Sequence, residues 1–272
     1  MAVAADNSFG QLLKRWRSQR NFSQLNLSLA SNVSQRHISF LESGRAKPSR
    51  DMILKLSAVL DIPLRQRNKL LTAAGFAPIY SEFDLSAPEV EPIRRALDFM
   101  LKQQSPYPAF VIDRYWNQVE MNKGAERFLQ WLVGTKEVPA TVGPNLVKLM
   151  LHPQGIKEQV ENWEVVAAHL VRRIHRETLS EGQDAQSQSL FDEILTYPEV
   201  KDIGQSPPQE NWQLPILSTT FSNADEQLSF FTTLTTLGTP QDITLQELRL
   251  ECLFPADDST EKWCRSLYKS NF

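Results

Sequence analysis

Cysteine, histidine and glycine are scarce: the 272-residue sequence holds 2, 4 and 10 of them. Cys252 and Cys264 are too few for a disulfide framework and form no CxxC pair, so a reducing, cytoplasmic setting is the simplest reading. As small apolar side chains they are read as buried filler. His169 and His175 are off the i, i+4 spacing with which a helix pairs two metal ligands. No glycine-rich phosphate loop, GxSxG elbow or HxE deaminase motif occurs. Glu247 and Glu251 are read as decoration of a solvated sheet face. Catalytic residues and metal ligands are therefore assigned to none, no cofactor is expected, and the chain is read as a non-enzyme.

Long apolar runs are missing as well. Purely apolar stretches reach four or five residues, as at Ala109 to Ile112, whereas a membrane span needs about 20. The opening MAVAADNSFG has neither a basic region nor an apolar core, so no secretory signal is expected. Neither low-complexity tracts nor a fixed-period repeat stand out.

What is present is an uneven charge. The net charge of −3 is the sum of unlike halves: residues 1–80 hold 12 Lys/Arg against 4 Asp/Glu, and residues 81–272 hold 17 against 28. Domains of roughly 100–200 residues are usual, so the length suggests two. The reading is a head at 1–80, a linker and connecting helix at 81–105, and a second domain at 106–272.

In the head, Phe9, Leu12, Leu13 and Trp16 fall at i, i+3, i+4 and i+7, one apolar stripe of a surface helix. Ser23 caps a second helix through about Ser31, Asn32 fits a tight turn, and Ser34 caps a third that Gly44 stops. Helix, short turn, helix and basic loop is the order of a helix-turn-helix. Ile38 and Leu41 face the core, which leaves Gln35, Arg36 and Ser39 outward, side chains able to hydrogen-bond base edges. Arg45, Lys47 and Arg50 follow as cations suited to phosphates. Helices are expected at Asp51 to Leu60, capped by Asp51, and Pro63 to Ala74. Leu25 and Leu29 form an apolar strip on helix two, expected to contact the second domain or a dimer partner.

The run Ser23-Gln24, Leu27, Val33-Ser34-Gln35, Ile38-Ser39, Leu41 to Arg45 and Pro48-Ser49 resembles the XRE family, the Cro and lambda-type repressors. The resemblance implies an all-α lambda-repressor-like domain binding a double-stranded DNA operator as a homodimer. It also implies that Gln24 contacts a phosphate and braces the recognition helix, that Gln35, Arg36 and Ser39 read bases, that Arg45 and Lys47 hold the backbone, and that Arg17 pairs with Glu42.

The second domain alternates. Strands are expected at Ala109 to Ile112, Trp116 to Met121, Ile216 to Phe221, Leu228 to Leu237 and Ile243 to Phe254, and a helix capped by Asn122 through Leu132. Further helices are read at Lys157 to Glu177, Leu190 to Tyr197 and Asp258 to Tyr268. The order gives an α+β, PAS-like domain, a five-stranded antiparallel sheet with helices on one face. The head, followed by Ala74-Gly75-Phe76-Ala77-Pro78 and by Pro108 to Asp113 with Trp116 and Asn122, resembles the MmyB-like transcription regulators. That resemblance implies a small apolar ligand, a long-chain fatty acid. Phe110, Ile112, Trp116, Phe128, Trp163, Leu170, Phe230 and Leu234 are the candidate ligand-binding residues, with His169, Arg172 or Arg173 to meet a carboxylate. The competing reading is a DNA-tethered protein–protein interaction module with no small molecule.

Overall fold

The computed structural model describes residues 8–83, 85, 87–134, 136–180, 184–205, 216–223, 226–238, 240 and 242–269. The chain divides into two compact units, one of Met1–Phe83, Ser180–Gly182 and Thr239–Gln246, the other of Asp84–Leu179, Gln183–Gly238 and Glu247–Phe272. The stretch read as linker and connecting helix thus goes with the second unit from Asp84 onward, and a late segment of the chain goes with the first.

The first unit carries α1 (Phe9–Gln19), α2 (Gln24–Ser31), α3 (Gln35–Glu42), α4 (Arg50–Val59) and α5 (Leu64–Ala73). Serines begin the middle three. Ser23 Oγ accepts the Asn26 N–H at 3.0 Å, Ser34 that of His37 at 3.2 Å, and Ser49 that of Met52 at 3.2 Å. The cap of α4 is therefore Ser49, not Asp51, which sits in the first turn where a carboxylate suits the helix dipole. Asn32 ends α2 in the left-handed conformation, φ 51°, as its short polar side chain permits. The apolar stripe Phe9, Leu13 and Trp16 meets Leu27, Ile38, Leu41, Ile53, Leu56 and Leu70 in one core. Gly10 makes the α1–α3 approach possible, since a Cβ there would lie 2.5 Å from the Glu42 carbonyl oxygen.

Helix α5 starts after Pro63, which has no side-chain acceptor. Its free Leu64 N–H donates instead to Gln246 Oε1 at 2.7 Å. Gln246 is anchored by its neighbours: Ile243 N–H donates to the Ser81 carbonyl at 2.9 Å, and Thr244 Oγ1 both accepts from Phe83 N–H and donates to its carbonyl. A residue 182 positions distant caps a head helix. Gln246→Ala is expected to lower head stability by about 1 kcal/mol, the usual worth of a cap, read by denaturant unfolding of the full chain.

The second unit opens with α6 (Glu91–Gln104), β1 (Ala109–Ile112), β2 (Gln118–Met121) and α7 (Lys123–Val133). The helices α8 (Leu146–Leu151), α9 (Trp163–Ser180), α10 (Ala185–Ile194) and α11 (Pro198–Gln205) follow. Then come β3 (Ser218–Asn223), β4 (Glu226–Thr236), β5 (Arg249–Pro255) and α13 (Asp258–Lys269); between β4 and β5 in the chain runs the short α12 (Ile243–Glu247), whose residues up to Gln246 go with the first unit. The strands form one antiparallel sheet in the order β2-β1-β5-β4-β3. Five antiparallel strands with helices is the architecture read from sequence, with four local corrections. The run from Ile243 opens as helix, Asp242 accepting the Leu245 N–H at 3.2 Å, before β5 begins. Trp116 lies in a turn at φ 66°, where Asp113 Oδ1 accepts the N–H groups of Tyr115 and Asn117, so β2 starts only at Gln118. Residues Lys157–Gln159 form a separate 3-10 turn, and α9 starts at Trp163. The helix read at Leu190 to Tyr197 is α10, ending at Ile194, followed by α11.

Both sheet faces are covered, rather than one. Phe110, Ile112, Phe221, Phe230 and Leu253 pack with Phe128 of α7, Trp163 and Val166 of α9 and Cys264 of α13 on the inner face. Ala109, Val111, Leu250 and Cys252 pack on Leu97 and Leu101 of α6 behind it. A strand covered on both sides reads as an unbroken apolar run, which is what Ala109 to Ile112 is. Buried Asn122 ties these parts together: Oδ1 accepts the N–H groups of Ala125 and Ala109, and Nδ2 donates to the carbonyls of Leu101 and Tyr107.

Candidate functional site

In the first unit, α3 presents Gln35 and Arg36 exposed and Ser39 half-buried, while Ile38 and Leu41 are sealed beneath. Arg45 and Lys47 are exposed in the loop that follows, beyond Gly44 at φ 74°. What fixes α3 is a buried polar knot. Arg17 of α1 donates through Nε to Glu42 Oε1 at 2.6 Å and through Nη2 to Oε2 at 3.1 Å, the two-pronged geometry that suits guanidinium and carboxylate. Its Nη1 donates to the Phe22 carbonyl at 2.8 Å. Gln24, at the start of α2, donates to Glu42 Oε2 at 2.8 Å. One carboxylate thus joins α1, α2 and α3, and the Arg17–Glu42 pair read from the resemblance is present.

One contributor escaped the sequence reading. Phe40 lies half-buried with the Arg36 guanidinium 5.3 Å and the Arg45 guanidinium 5.9 Å from its ring centre. Cation–π contact of this kind organises two flexible cations on one platform. The i, i+4 spacing of Arg36 and Phe40 was the available signal. Leu25 and Leu29 are 51% and 75% exposed, a bare apolar strip on α2.

In the second unit all eight candidate ligand-binding residues fall in one cluster. Phe110, Ile112, Trp116, Phe128, Trp163 and Phe230 are buried within it, while Leu170 and Leu234 keep part of their surface. Trp116 carries the densest electrostatics. Its indole N–H donates to Glu177 at 3.1 Å, and Arg173 and Arg249 lie 5.0 and 5.9 Å from its ring centre. Arg173 and Arg249 also donate to Glu177 at 2.9 and 2.8 Å. Burial opposes the charge on Glu177, yet Arg249 and Arg173 together hold its carboxyl below the ordinary range. His169 is held down too, first by burial and then by Arg172 and Arg176.

The two carboxylates assigned to a solvated sheet face do not sit there. Glu247 ends α12 and pairs with the buried Arg114 at 2.7 Å. Glu251 shares the inner face of β5 with Arg249 and Leu253, and burial pushes its carboxyl up to about 7 against the pull of Arg173 and Arg249. Cys252 and Cys264 are buried free thiols, and burial pushes Cys264 up to about 12, far from a reactive thiolate. Among the described residues no helix is long and apolar enough to cross a membrane, and no cluster of three His, Cys, Asp or Glu side chains is placed to hold a metal.

Comparison with known proteins places both units. Residues 93–267 match the family model of the MmyB-like transcription regulator ligand binding domain, and residues 13–66 match that of the helix-turn-helix. No curated protein matches the chain. Among solved structures, "Structure of an RNA-binding Light-Oxygen-Voltage Receptor" aligns over 100% of this chain and 66% of that one, at 13% identity and a TM-score of 0.28. A likeness at that score establishes neither fold nor function. The chain belongs to the MmyB-like transcription regulators, DNA-binding regulators that join a helix-turn-helix head to a ligand-binding domain.

Proposed function

We propose that this regulator reads one operator through Gln35, Arg36 and Ser39 of α3, with Gln24, Arg45 and Lys47 on the flanking phosphates. The observation that carries this is the exposed donor–acceptor face of α3, held rigid by the Arg17–Glu42–Gln24 knot. Arg pairs with guanine, Gln with adenine and Ser with either, while point cations in a loop bind any backbone. Reading of this type uses two half-sites about 34 Å apart, so the acting species is a homodimer in the cytoplasm.

The ligand of the second unit is a small apolar molecule, a fatty acid, held among Phe110, Ile112, Trp116, Phe128, Trp163, Leu170, Phe230 and Leu234. Its binding shifts operator affinity only through unequal affinity for two states of the protein. No catalytic step is assigned to the chain. Mass spectrometry of an organic extract of the purified full chain tests the ligand: a stoichiometric long-chain acid is expected. An empty protein with a co-purifying polypeptide would favour the interaction module instead.

A further inference from the structure

Two cations and two acids meet where α9 faces β5, and their hydrogen bonds are shared unequally. Glu177 accepts from Trp116, Arg173 and Arg249. Glu251 receives no hydrogen bond from any described residue, although Arg173 and Arg249 are near enough to act on its charge. Its carboxylate oxygens thus stand beside two guanidinium groups with no hydrogen bond from a described residue, open to a further donor.

The sheet register shows what lies around it. Glu251 pairs across to Phe110 of β1 and to Leu234 of β4. Phe110 is sealed, but Glu251 and Leu234 keep part of their surface, and Thr232, two residues before Leu234 on the same face, is exposed. The core therefore stops short of closing the inner face at this point. Leu170, one turn ahead of Arg173 on α9, is half-buried too. Apolar walls with a few polar groups are what a ligand site for an amphiphile requires.

We propose that Glu251 is the polar anchor of the ligand site and that it selects an apolar chain ending in an O–H donor, a hydroxyl or a protonated carboxyl group. The inference rests on the ligand-binding reading above and sharpens it. With Glu251 ionised, the charges of Arg173, Arg249, Glu177 and Glu251 cancel. A hydroxyl adds a donor and no charge. A fatty carboxylate adds a second anion against Glu251, and the pair becomes stable by sharing one proton, as two adjacent carboxyl groups do. The charged groups acting on Glu251 are Arg173 from α9 and Arg249 from its own strand, both of which also donate to Glu177; its β1 and β4 partners Phe110 and Leu234 carry no charge.

With its carboxyl at about 7, free Glu251 loses its proton above neutrality. Dodecanoate then binds only with uptake of a proton, and its affinity falls about tenfold per pH unit. Dodecan-1-ol needs no proton and donates directly to the ionised carboxylate. Calorimetric titration of the delipidated full chain at pH 8, in two buffers of different ionisation enthalpy, reads the uptake directly. The wild type is expected to take up close to one proton per dodecanoate and none per dodecan-1-ol; Glu251→Gln, whose amide donates without titrating, takes up none with either. Dodecanoate binding to the wild type without proton uptake, or with the same uptake in Glu251→Gln, overturns the assignment and leaves the ligand reading standing. Failure of both probes to bind either protein overturns the ligand reading and this assignment with it.

Discussion

Glu42→Ala is expected to destabilise the head by about 3 kcal/mol, the lower end of what breaking a buried ion pair costs. The Glu42 side chain is 4% exposed and that of Arg17 12%, so removing the carboxylate leaves a largely buried guanidinium with, among the described residues, only the Phe22 carbonyl to satisfy it. Gln24 loses its acceptor in the same step. Arg17→Leu combined with Glu42→Leu is expected to lose less than Glu42→Ala, because no charge is then stranded and two apolar side chains join the Leu13–Leu41 core. Equilibrium denaturation of the full chain measures both. A Glu42→Ala loss below about 1 kcal/mol would place the pair among ordinary surface salt bridges and remove the rigid footing of α3.

Gln35→Ala with Arg36→Ala is expected to cost about 1–3 kcal/mol per side chain on the preferred operator and little on random duplex, because base contacts carry the discrimination. Arg45→Ala is expected to do the reverse, weakening all sequences alike and lowering the salt slope of binding by about one unit as one phosphate contact is lost. Selection of bound duplexes from a random pool, followed by affinity against salt, separates the two. Equal losses on every sequence for the Gln35/Arg36 variant would contradict base reading. Phe40 adds a refinement: it touches both arginines, so Phe40→Ala is expected to erode specificity and backbone affinity together.

Much of this was legible in the chain. Ser23, Ser34 and Asn32 announce their helix boundaries because capping and the left-handed turn are local chemistry, readable from one side chain and its spacing. The Ala109 strand announced itself by its apolar run. Misreadings arose where a distant partner decides. Asp51 is as good a cap by type as Ser49, and only the backbone path chooses between them. Ile243 carries strand-forming neighbours, yet Asp242 caps a helix there and Gln246 is drawn to α5. Arg249 and Glu251 alternate with apolar Leu250 and Cys252, the pattern of a strand with one solvated face, and nothing in the segment reveals that α9 lies against that face. Charged residues on a strand default to the solvent side, and Arg249 overturns that default by pairing with Glu177 of α9.

The uneven charge of the sequence fits this division of labour: the cations that suit phosphates lie in the first 80 residues, and the acidic excess lies in the remainder. The central claim is that the second unit's ligand governs what the first does on DNA. The most direct test is the affinity of the full chain for its selected operator, measured before and after organic extraction of bound lipid and again after dodecanoate is restored. Coupling free energies between linked sites are typically about 1–3 kcal/mol, so a shift of roughly five- to 150-fold, reversed on adding the ligand back, is expected. Identical operator affinity in all three states, with ligand occupancy verified, would contradict the account.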